Sequence, residues 1–266
     1  MPTNDEARYA NKVFMAGALP LMKVIATDDP TINKLFTLPK INAVYQVSAK
    51  NGNTKEAVHF IVTDGEWEVY QGAYKGDKKI DAELAFSSLE RMNGFMKSDF
   101  SKLPMIKIGN PAKFALFMAV LLKMSSVLTA TEIPEDEATQ LLTIKCFFYL
   151  LTTGISALNK MGNPQVSNWV KKSPDRCYQM AVAGYPELTA YLRVNEGKSK
   201  AGKGEYPRSD PFFTMLFDCP ESALMILMGK GDMFKMTANR QLIMKGGPEF
   251  GMQLSEHMFY IQDLAM

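Results

Sequence analysis

The feature that most constrains the fold is an internal repeat at a fixed interval. A valine, two glycines and a tyrosine recur in the same order 132 residues apart. The matched segments are Val62–Gly65 with Gly72 and Tyr74, and Val194–Gly197 with Gly204 and Tyr206. An interval that is constant over four positions indicates duplication of a unit of roughly 130 residues. We therefore predict two domains of one fold, covering residues 1–130 and 131–266.

The length and composition agree with two ordinary globular domains. Each half of the 266-residue chain is long enough to bury about two-thirds of its unfolded surface. Apolar residues make up 47% of the chain and charged residues 22%, which is neither a disordered nor a membrane composition. The net charge of +2 supplies no field that would attract nucleic acid. We expect no nucleic-acid partner.

The cysteines and the first residues predict the compartment. Cys146, Cys177 and Cys219 have no paired spacing, so the sequence predicts neither a disulfide framework nor a structural zinc site. The first six residues include acids where a secretory signal carries lysine or arginine. We expect a cytoplasmic protein.

Two apolar runs, 114–128 and 141–158, are candidates for membrane-spanning helices. Both are short for a bilayer span, and each contains a lysine, Lys123 or Lys145, whose insertion would cost about 3 kcal/mol. We therefore predict that they are buried helices.

The predicted elements follow the same order in both copies. We predict helices over 5–26 and 135–161, short helices over 89–97 and 221–228, short strands over 105–108 and 241–244, and a final helix in each copy. Asp29-Pro30 and Asn163-Pro164 each pair a capping side chain with a proline at the first helical position. Asp64-Gly65 and Glu196-Gly197 lie between strand candidates and favour tight hairpins. Apolar residues alternate along the strands, which indicates an α+β fold with a mostly antiparallel sheet covered on one face.

A stretch of the second copy resembles the sterol carrier protein type 2 family. A helix ends at Gly229-Lys230, the apolar stretch 233–236 follows, and the basic and apolar strand 240–247 closes with glycine. The resemblance covers most of residues 177–266, and the first copy matches less closely because Ser98 stands in place of the family's glycine. It implies, for each copy, a five-stranded sheet with helices on one face. It also implies a tunnel between them for a sterol, a fatty acid or an acyl-CoA.

The predicted cavity wall follows from this resemblance and from the high methionine content, 19 in the chain. Flexible thioethers adapt to ligands of different shape, although methionine also fills ordinary cores. The residues that we predict to contact the ligand are Met225, Met228, Met233, Phe234, Phe250, Leu254 and Met258, with Phe95, Met96, Phe114, Phe117 and Leu121 as their first-copy counterparts.

Candidate catalytic and metal-binding groups are few. His59 and His257 lie far from any pattern with metal-ligand spacing, and only His257 is placed to meet a ligand head group. Asp81 and Glu83 share one face of a strand, which we expect to be solvated surface. We therefore predict no catalytic residue, no metal, no cofactor and no enzymatic activity.

The second hairpin differs in charge from the first. Residues 66–70 are aromatic and acidic, whereas Lys198, Lys200 and Lys203 make the second hairpin basic. Such lysines favour transient contact with anionic lipid head groups, and the alternative is an ordinary solvated loop.

Together these features predict a lipid-binding or lipid-transfer protein that sequesters its ligand in an apolar cavity. The alternative is a non-catalytic interaction module, or an accessory subunit of an enzyme that acts on lipid or CoA-linked substrates. No prediction is made for the oligomeric state.

Overall fold

The computed structural model describes residues 4–265, which form two compact units. Unit 1 comprises residues 4–126 with 264–265, and unit 2 comprises residues 127–263. The division of the sequence into domains 1–130 and 131–266 stays a prediction.

Unit 1 begins with helices, continues with a three-strand meander and ends with a helix. Its elements are α1 (Asn4–Val13), a π-helical segment (Phe14–Ala18), α2 (Leu21–Asp28), α3 (Pro30–Thr37), β1 (Ala43–Asn51), β2 (Thr54–Thr63), β3 (Glu66–Gln71), β4 (Ala82–Phe86), α4 (Leu89–Met96), β5 (Met105–Ile108) and α5 (Pro111–Leu128).

Unit 2 follows the same order of strands. Its elements are α6 (Glu137–Met161), α7 (Pro164–Lys172), β6 (Arg176–Val182), β7 (Tyr185–Asn195), β8 (Lys198–Lys203), β9 (Phe213–Phe217), α8 (Pro220–Leu227), α9 (Met233–Ala238), β10 (Leu242–Lys245) and α10 (Pro248–Ala265). The short helix α9 is absent from the sequence prediction, which has an apolar stretch at that place.

The two sheets have the same topology. Their strand orders are β3-β2-β1-β4-β5 and β8-β7-β6-β9-β10. The central pairs β1–β4 and β6–β9 are parallel, and the other pairs are antiparallel. The predicted α+β class with two mostly antiparallel five-stranded sheets is confirmed.

Alternation along the central strands decides which face of each sheet is covered. Ala82, Leu84 and Phe86 of β4 are buried, as are Phe213 and Phe217 of β9. Successive side chains of a strand point to opposite faces, so these residues mark the face that packs against helices. The intervening residues lie on the other face, which we call the helix-free face. The prediction of one covered face is confirmed.

The two hairpin turns require glycine, as the sequence predicts. Asp64 and Gly65 have φ of 51° and 90°, and Glu196 and Gly197 have φ of 43° and 93°. Positive φ at both central residues is the type I′ pattern that matches strand twist. A Cβ atom on Gly65 would also meet the carbonyl oxygen of Phe36 at 2.7 Å.

The predicted helix caps are present in both units. The Asp29 carboxylate accepts hydrogen bonds from the amides of Thr31 and Ile32, at 3.0 and 2.9 Å. The Asn163 side chain accepts one from the amide of Val166 at 3.1 Å. Proline occupies the first helical position after each cap, where no amide donor is needed.

Two helices, α5 and α6, are long and apolar enough to cross a membrane if length and composition alone are considered. Burial covers 78% of the most apolar window of α6, so its prediction as a core helix is confirmed. For α5 the buried share is 28%, and Leu122 is 61% exposed. The prediction of a buried helix is therefore wrong for the outer face of α5, because the helix is apolar all round whereas only one side packs.

Candidate functional site

The layer between the sheet and the helices of unit 2 is where the predicted cavity belongs. A gap in this layer lies among β9, α8, α9 and α10 and has a volume of about 10 Å³. Its wall consists of Met215, Ile226, Leu227, Met233, Ser255, Met258, Phe259 and Gln262. Such a gap has room for about one water molecule and is closed to a lipid in this conformation.

Two of the predicted second-copy residues, Met233 and Met258, are brought together at this gap. Leu254 is buried on the same helix as Met258. Met225 is half-buried on α8, and Met228 is half-buried at its C-cap.

The two predicted phenylalanines of the second copy lie elsewhere. Phe234 is 80% exposed on α9. Phe250 is half-buried and packs edge-on against Phe212, with ring centroids 4.7 Å apart. The guanidinium of Arg176 lies over both rings, at 4.3 Å from Phe212 and 4.6 Å from Phe250. This is a cation–π contact at the margin of the helix layer.

The first-copy counterparts are divided between two clusters. Phe117 and Leu121 are buried, and Phe117 stacks on Tyr45 at 4.8 Å. Phe95 is half-buried and packs instead against Phe86 at 5.4 Å. The remaining two, Met96 and Phe114, are half-buried. A ligand-binding role for all twelve predicted residues stays a prediction.

Polar atoms without hydrogen-bond partners lie within the buried layers. In unit 2 these are Trp169 Nε1, the Tyr178 hydroxyl and His257 Nδ1, and in unit 1 the Tyr45 hydroxyl and Trp67 Nε1, counting partners among the described residues. The rings of Trp169 and His257 are 4.5 Å apart. Burial lowers the pKa of His257, so its ring is neutral at physiological pH.

The helix-free face of unit 1 has a buried carboxylate at its centre. Glu83 receives hydrogen bonds from Lys55 Nζ (2.7 Å), Lys107 Nζ (2.9 Å), Ser48 Oγ (2.7 Å) and Gln46 Nε2 (2.7 Å). Its side chain is only 5% exposed, whereas the two lysines are roughly half exposed. We call these five residues the Glu83 cluster.

The cluster stabilises the ionised form of Glu83. Burial alone would raise the pKa of this carboxyl, but the hydrogen bonds from the two lysines, Ser48 and Gln46 outweigh it and lower the pKa to about 2. The expectation of a solvated surface is therefore wrong for Glu83. Strand alternation places the side chain on the correct face, but it does not reveal that neighbouring strands cover it with lysines.

The same row of the sheet in unit 2 has a different composition. Across unit 1 the row reads His59, Gln46, Glu83 and Lys107, as the strand registers give it. Across unit 2 the corresponding row reads Tyr191, Gln179, Thr214 and Lys245. The glutamine and the lysine are therefore retained, while threonine replaces the buried glutamate.

An open groove of about 710 Å³ lies over this row in unit 2. Its floor includes Gln179, Thr214 and Lys245, and its rim includes Tyr185, Glu205 and Asp210. Sequence reasoning missed both the Glu83 cluster and this groove. A signal for both sites was present in the repeat, because Glu83 in the first copy corresponds to Thr214 in the second. That correspondence becomes visible only when the strand register is known.

The described residues offer little for metal or nucleophilic chemistry. Among residues 4–265 no group of three or more histidine, cysteine, aspartate or glutamate side chains is arranged to hold a metal ion. None of the three cysteines, all of which lie within the described residues, is in a disulfide, and burial raises the pKa of the Cys177 thiol to about 12. Cys177 is therefore a neutral thiol and a poor nucleophile.

No protein-family profile matches the chain, and no curated protein matches it. A solved structure described as "UbiJ-SCP2 Ubiquinone synthesis protein" is similar to part of it, with 20% sequence identity and a TM-score of 0.28. That alignment covers 44% of this chain and 96% of the other. Membership of the sterol carrier family and tandem duplication of its domain stay predictions.

Proposed function

We propose that this protein binds an amphipathic, lipid-like molecule between the sheet and the helices of unit 2. The observations that carry the proposal are a methionine-lined gap and, elsewhere in the buried layer of unit 2, polar atoms that lack partners. The apolar wall suits a hydrocarbon body, and the polar atoms suit a head group. The ligand classes are those expected from the sequence: a sterol, a fatty acid or an acyl-CoA.

The wall of the gap consists partly of flexible methionine side chains, one of which lies on a short helix. Met215, Met233 and Met258 present flexible thioethers to it. Helix α9 is six residues long, and Met236 is its buried residue whereas Phe234 points to solvent. Displacement of α9 would enlarge the gap toward the several hundred Å³ that a lipid requires.

The unpaired polar atoms favour a ligand with a polar end. A buried donor or acceptor without a partner costs about 1–3 kcal/mol, and a ligand hydroxyl or carbonyl would recover that energy. Trp169 Nε1 is a donor, whereas neutral His257 is able to donate or accept. The apolar part of the ligand would contribute about 25 cal/mol for each Å² buried.

Binding without turnover is the mechanism that we propose. The protein would sequester its ligand in the cytoplasm and release it at a membrane. Lys198, Lys200 and Lys203 are exposed on one hairpin and would each contribute about 1 kcal/mol near an anionic surface.

Native mass spectrometry of freshly purified protein, followed by organic extraction, tests the proposal. We expect a lipid bound in a fixed ratio. Met258→Phe fills the gap with apolar volume and should lower that occupancy, whereas Met252→Phe on the exposed side of α10 is the matched control. A mass without ligand, together with no uptake from fatty acids, sterols or acyl-CoAs, would contradict the proposal.

The alternative is a non-catalytic interaction module or an accessory subunit of a lipid- or CoA-linked enzyme. The observation that favours it is a cluster of exposed apolar side chains along and before the edge strand β5. Its members are Phe100, Leu103, Met105, Ile106 and Ile108. An edge strand offers free backbone groups to which a partner strand adds. Absence of any ligand in the mass spectra would favour this second function.

A further inference from the structure

The glutamine that is common to both sheet rows is held in the same way in both units. Gln46 Oε1 accepts a hydrogen bond from the amide of Tyr74 at 2.7 Å, and Gln179 Oε1 accepts one from the amide of Tyr206 at 3.2 Å. This bond leaves the Nε2 group of each glutamine available as a donor. In unit 1 it donates to Glu83, whereas Gln179 Nε2 has no acceptor among residues 4–265.

The lysine and the threonine of the unit 2 row also lack partners. Lys107 pairs with Glu83 at 2.9 Å, but Lys245 makes no ion pair within the described part of the chain. The Thr214 hydroxyl, although its residue is buried, likewise has no hydrogen-bond partner there. Two neutral donors and one cation thus line the same groove.

Two sequence differences create the space above these donors. Threonine is shorter than glutamate and has no carboxylate to fill the centre of the row. The hairpin β6–β7 also ends earlier, at Val182 opposite Tyr185, whereas β1–β2 continues to Asn51 opposite Thr54. The extra length in unit 1 carries Lys55, which covers Glu83.

We propose that the groove of unit 2 binds the carboxylate of a small polar ligand in the position that the Glu83 side chain occupies in unit 1. Lys245 supplies the counter-charge, and Gln179 and Thr214 supply hydrogen bonds. The site lies on the sheet face opposite the proposed lipid layer, and it does not depend on lipid binding.

The rim of the groove narrows the class of ligand. Glu205 and Asp210 are exposed carboxylates, and Lys245 is the cation of the groove lining. A ligand with negative charge alone is repelled at the rim, whereas one that also has an amino group is attracted there. The favoured class is therefore amino-acid-like: a carboxylate and an ammonium group on a short carbon chain.

Titration of the isotope-labelled protein with three four-carbon probes, followed by amide NMR shifts, tests the site. The probes are 4-aminobutyrate, butyrate and butyramide, each added to about 50 mM because millimolar affinity is expected for so few contacts. We expect saturable shifts around Gln179, Thr214 and Lys245, strongest for 4-aminobutyrate and absent for butyramide. Equal shifts with all three probes, or none, would overturn the proposal.

Two variants in unit 2 decide whether the named donors hold the carboxylate. Lys245→Gln removes the charge at an exposed position and should weaken binding roughly tenfold or more. Thr214→Glu supplies an internal carboxylate and should abolish binding. Met252→Phe, at an exposed position of α10, should leave it unchanged. Undiminished binding in both Lys245→Gln and Thr214→Glu would contradict the proposed carboxylate site, even if the groove binds the probe.

The reciprocal change in unit 1 is a gain-of-function test. Glu83→Thr leaves Gln46 and Lys107 without their carboxylate, so the same probes should now shift amides in that row. Wild-type unit 1 should show no such shifts, since Glu83 already occupies the position. A folded Glu83→Thr protein that takes up no probe would contradict the equivalence of the two rows. If this variant does not fold, the unit 2 variants still decide the proposal.

Discussion

The helix-free faces of the two sheets differ in the residue at the centre of one cross-strand row. In unit 1 Glu83 forms ion pairs with two lysines, which cover the centre of the row. In unit 2 Thr214 forms no such pair, and Lys245 lies beside an open groove. The strand orders and the pairing of the row are nevertheless the same. The strand register is therefore compatible with either arrangement on the helix-free face. An internal ion cluster occupies that face in unit 1 and an open groove in unit 2, without a change of fold.

The largest expected effect is loss of the Glu83 carboxylate. Glu83→Ala leaves Lys55 and Lys107 without a counter-ion and removes four hydrogen bonds, which should cost about 3 kcal/mol. Urea unfolding measured by fluorescence tests this, because Trp67 reports on unit 1 once Trp169 is replaced by phenylalanine.

The matched control for that experiment is Glu56→Ala, an exposed glutamate of the same sheet. It should change the unfolding free energy of unit 1 by less than about 0.5 kcal/mol. An equally small effect of Glu83→Ala would mean that the cluster is a surface ion pair, and the contrast between the two units would lose its energetic basis.

The stability of unit 1 should depend on pH through the ionisation of Glu83. The pKa of Glu83 is lowered from 4.5 to about 2 in the folded chain. The ionised form therefore stabilises the fold fully above about pH 4.5, and this contribution, at most about 3 kcal/mol, is lost as the pH falls toward 2. Glu83→Gln should remove it.

Unfolding free energies of wild type and Glu83→Gln, measured at about pH 6 and about pH 3, isolate this group from the other carboxylates. We expect the difference in unfolding free energy between the two proteins to become smaller on acidification. A difference that stays constant would show that the carboxylate has a similar pKa in the folded and unfolded chains.

A smaller effect is expected at the helix caps, where the two units also differ. Asp29 caps α3 and pairs with Lys123 at 3.1 Å, whereas neutral Asn163 caps α7 and donates to the Tyr260 hydroxyl at 3.0 Å. Asp29→Ala should cost about 1–2 kcal/mol and Asp29→Asn distinctly less, because asparagine retains the cap. Chemical denaturation of both variants measures the difference. Equal losses would assign the effect to the Lys123 pair rather than to the cap.

Local patterns account for the part of the fold that was predictable. The caps at Asp29 and Asn163, the turns at Gly65 and Gly197, and the strand phase of residues 82–86 depend on the residues themselves and their nearest neighbours. Such signals are visible without a structure. They were sufficient for the sheet class, the covered face and the order of the elements other than α9.

The candidate sites depend on register and side-chain packing, which the pattern does not contain. Glu83 is buried only because β2 and β5 bring Lys55 and Lys107 to it from 28 and 24 residues away. The exposure of Phe234 follows from α9, a six-residue helix too short to give a periodic signal. The 10 Å³ gap likewise reflects the packing of several elements and not any one motif.

The smallest expected effect is on the other side of the comparison, in unit 2. Thr214→Glu places a carboxylate between Gln179 and Lys245, which correspond to Gln46 and Lys107 of the Glu83 cluster. Stabilisation should stay below about 1 kcal/mol, because Lys245 is exposed and burial of the new charge opposes the gain. Trp169 fluorescence in a Trp67→Phe background would follow the unfolding of unit 2. A loss of more than about 1 kcal/mol would mean that Thr214 and Glu83 are not interchangeable and that the groove is not shaped for a carboxylate.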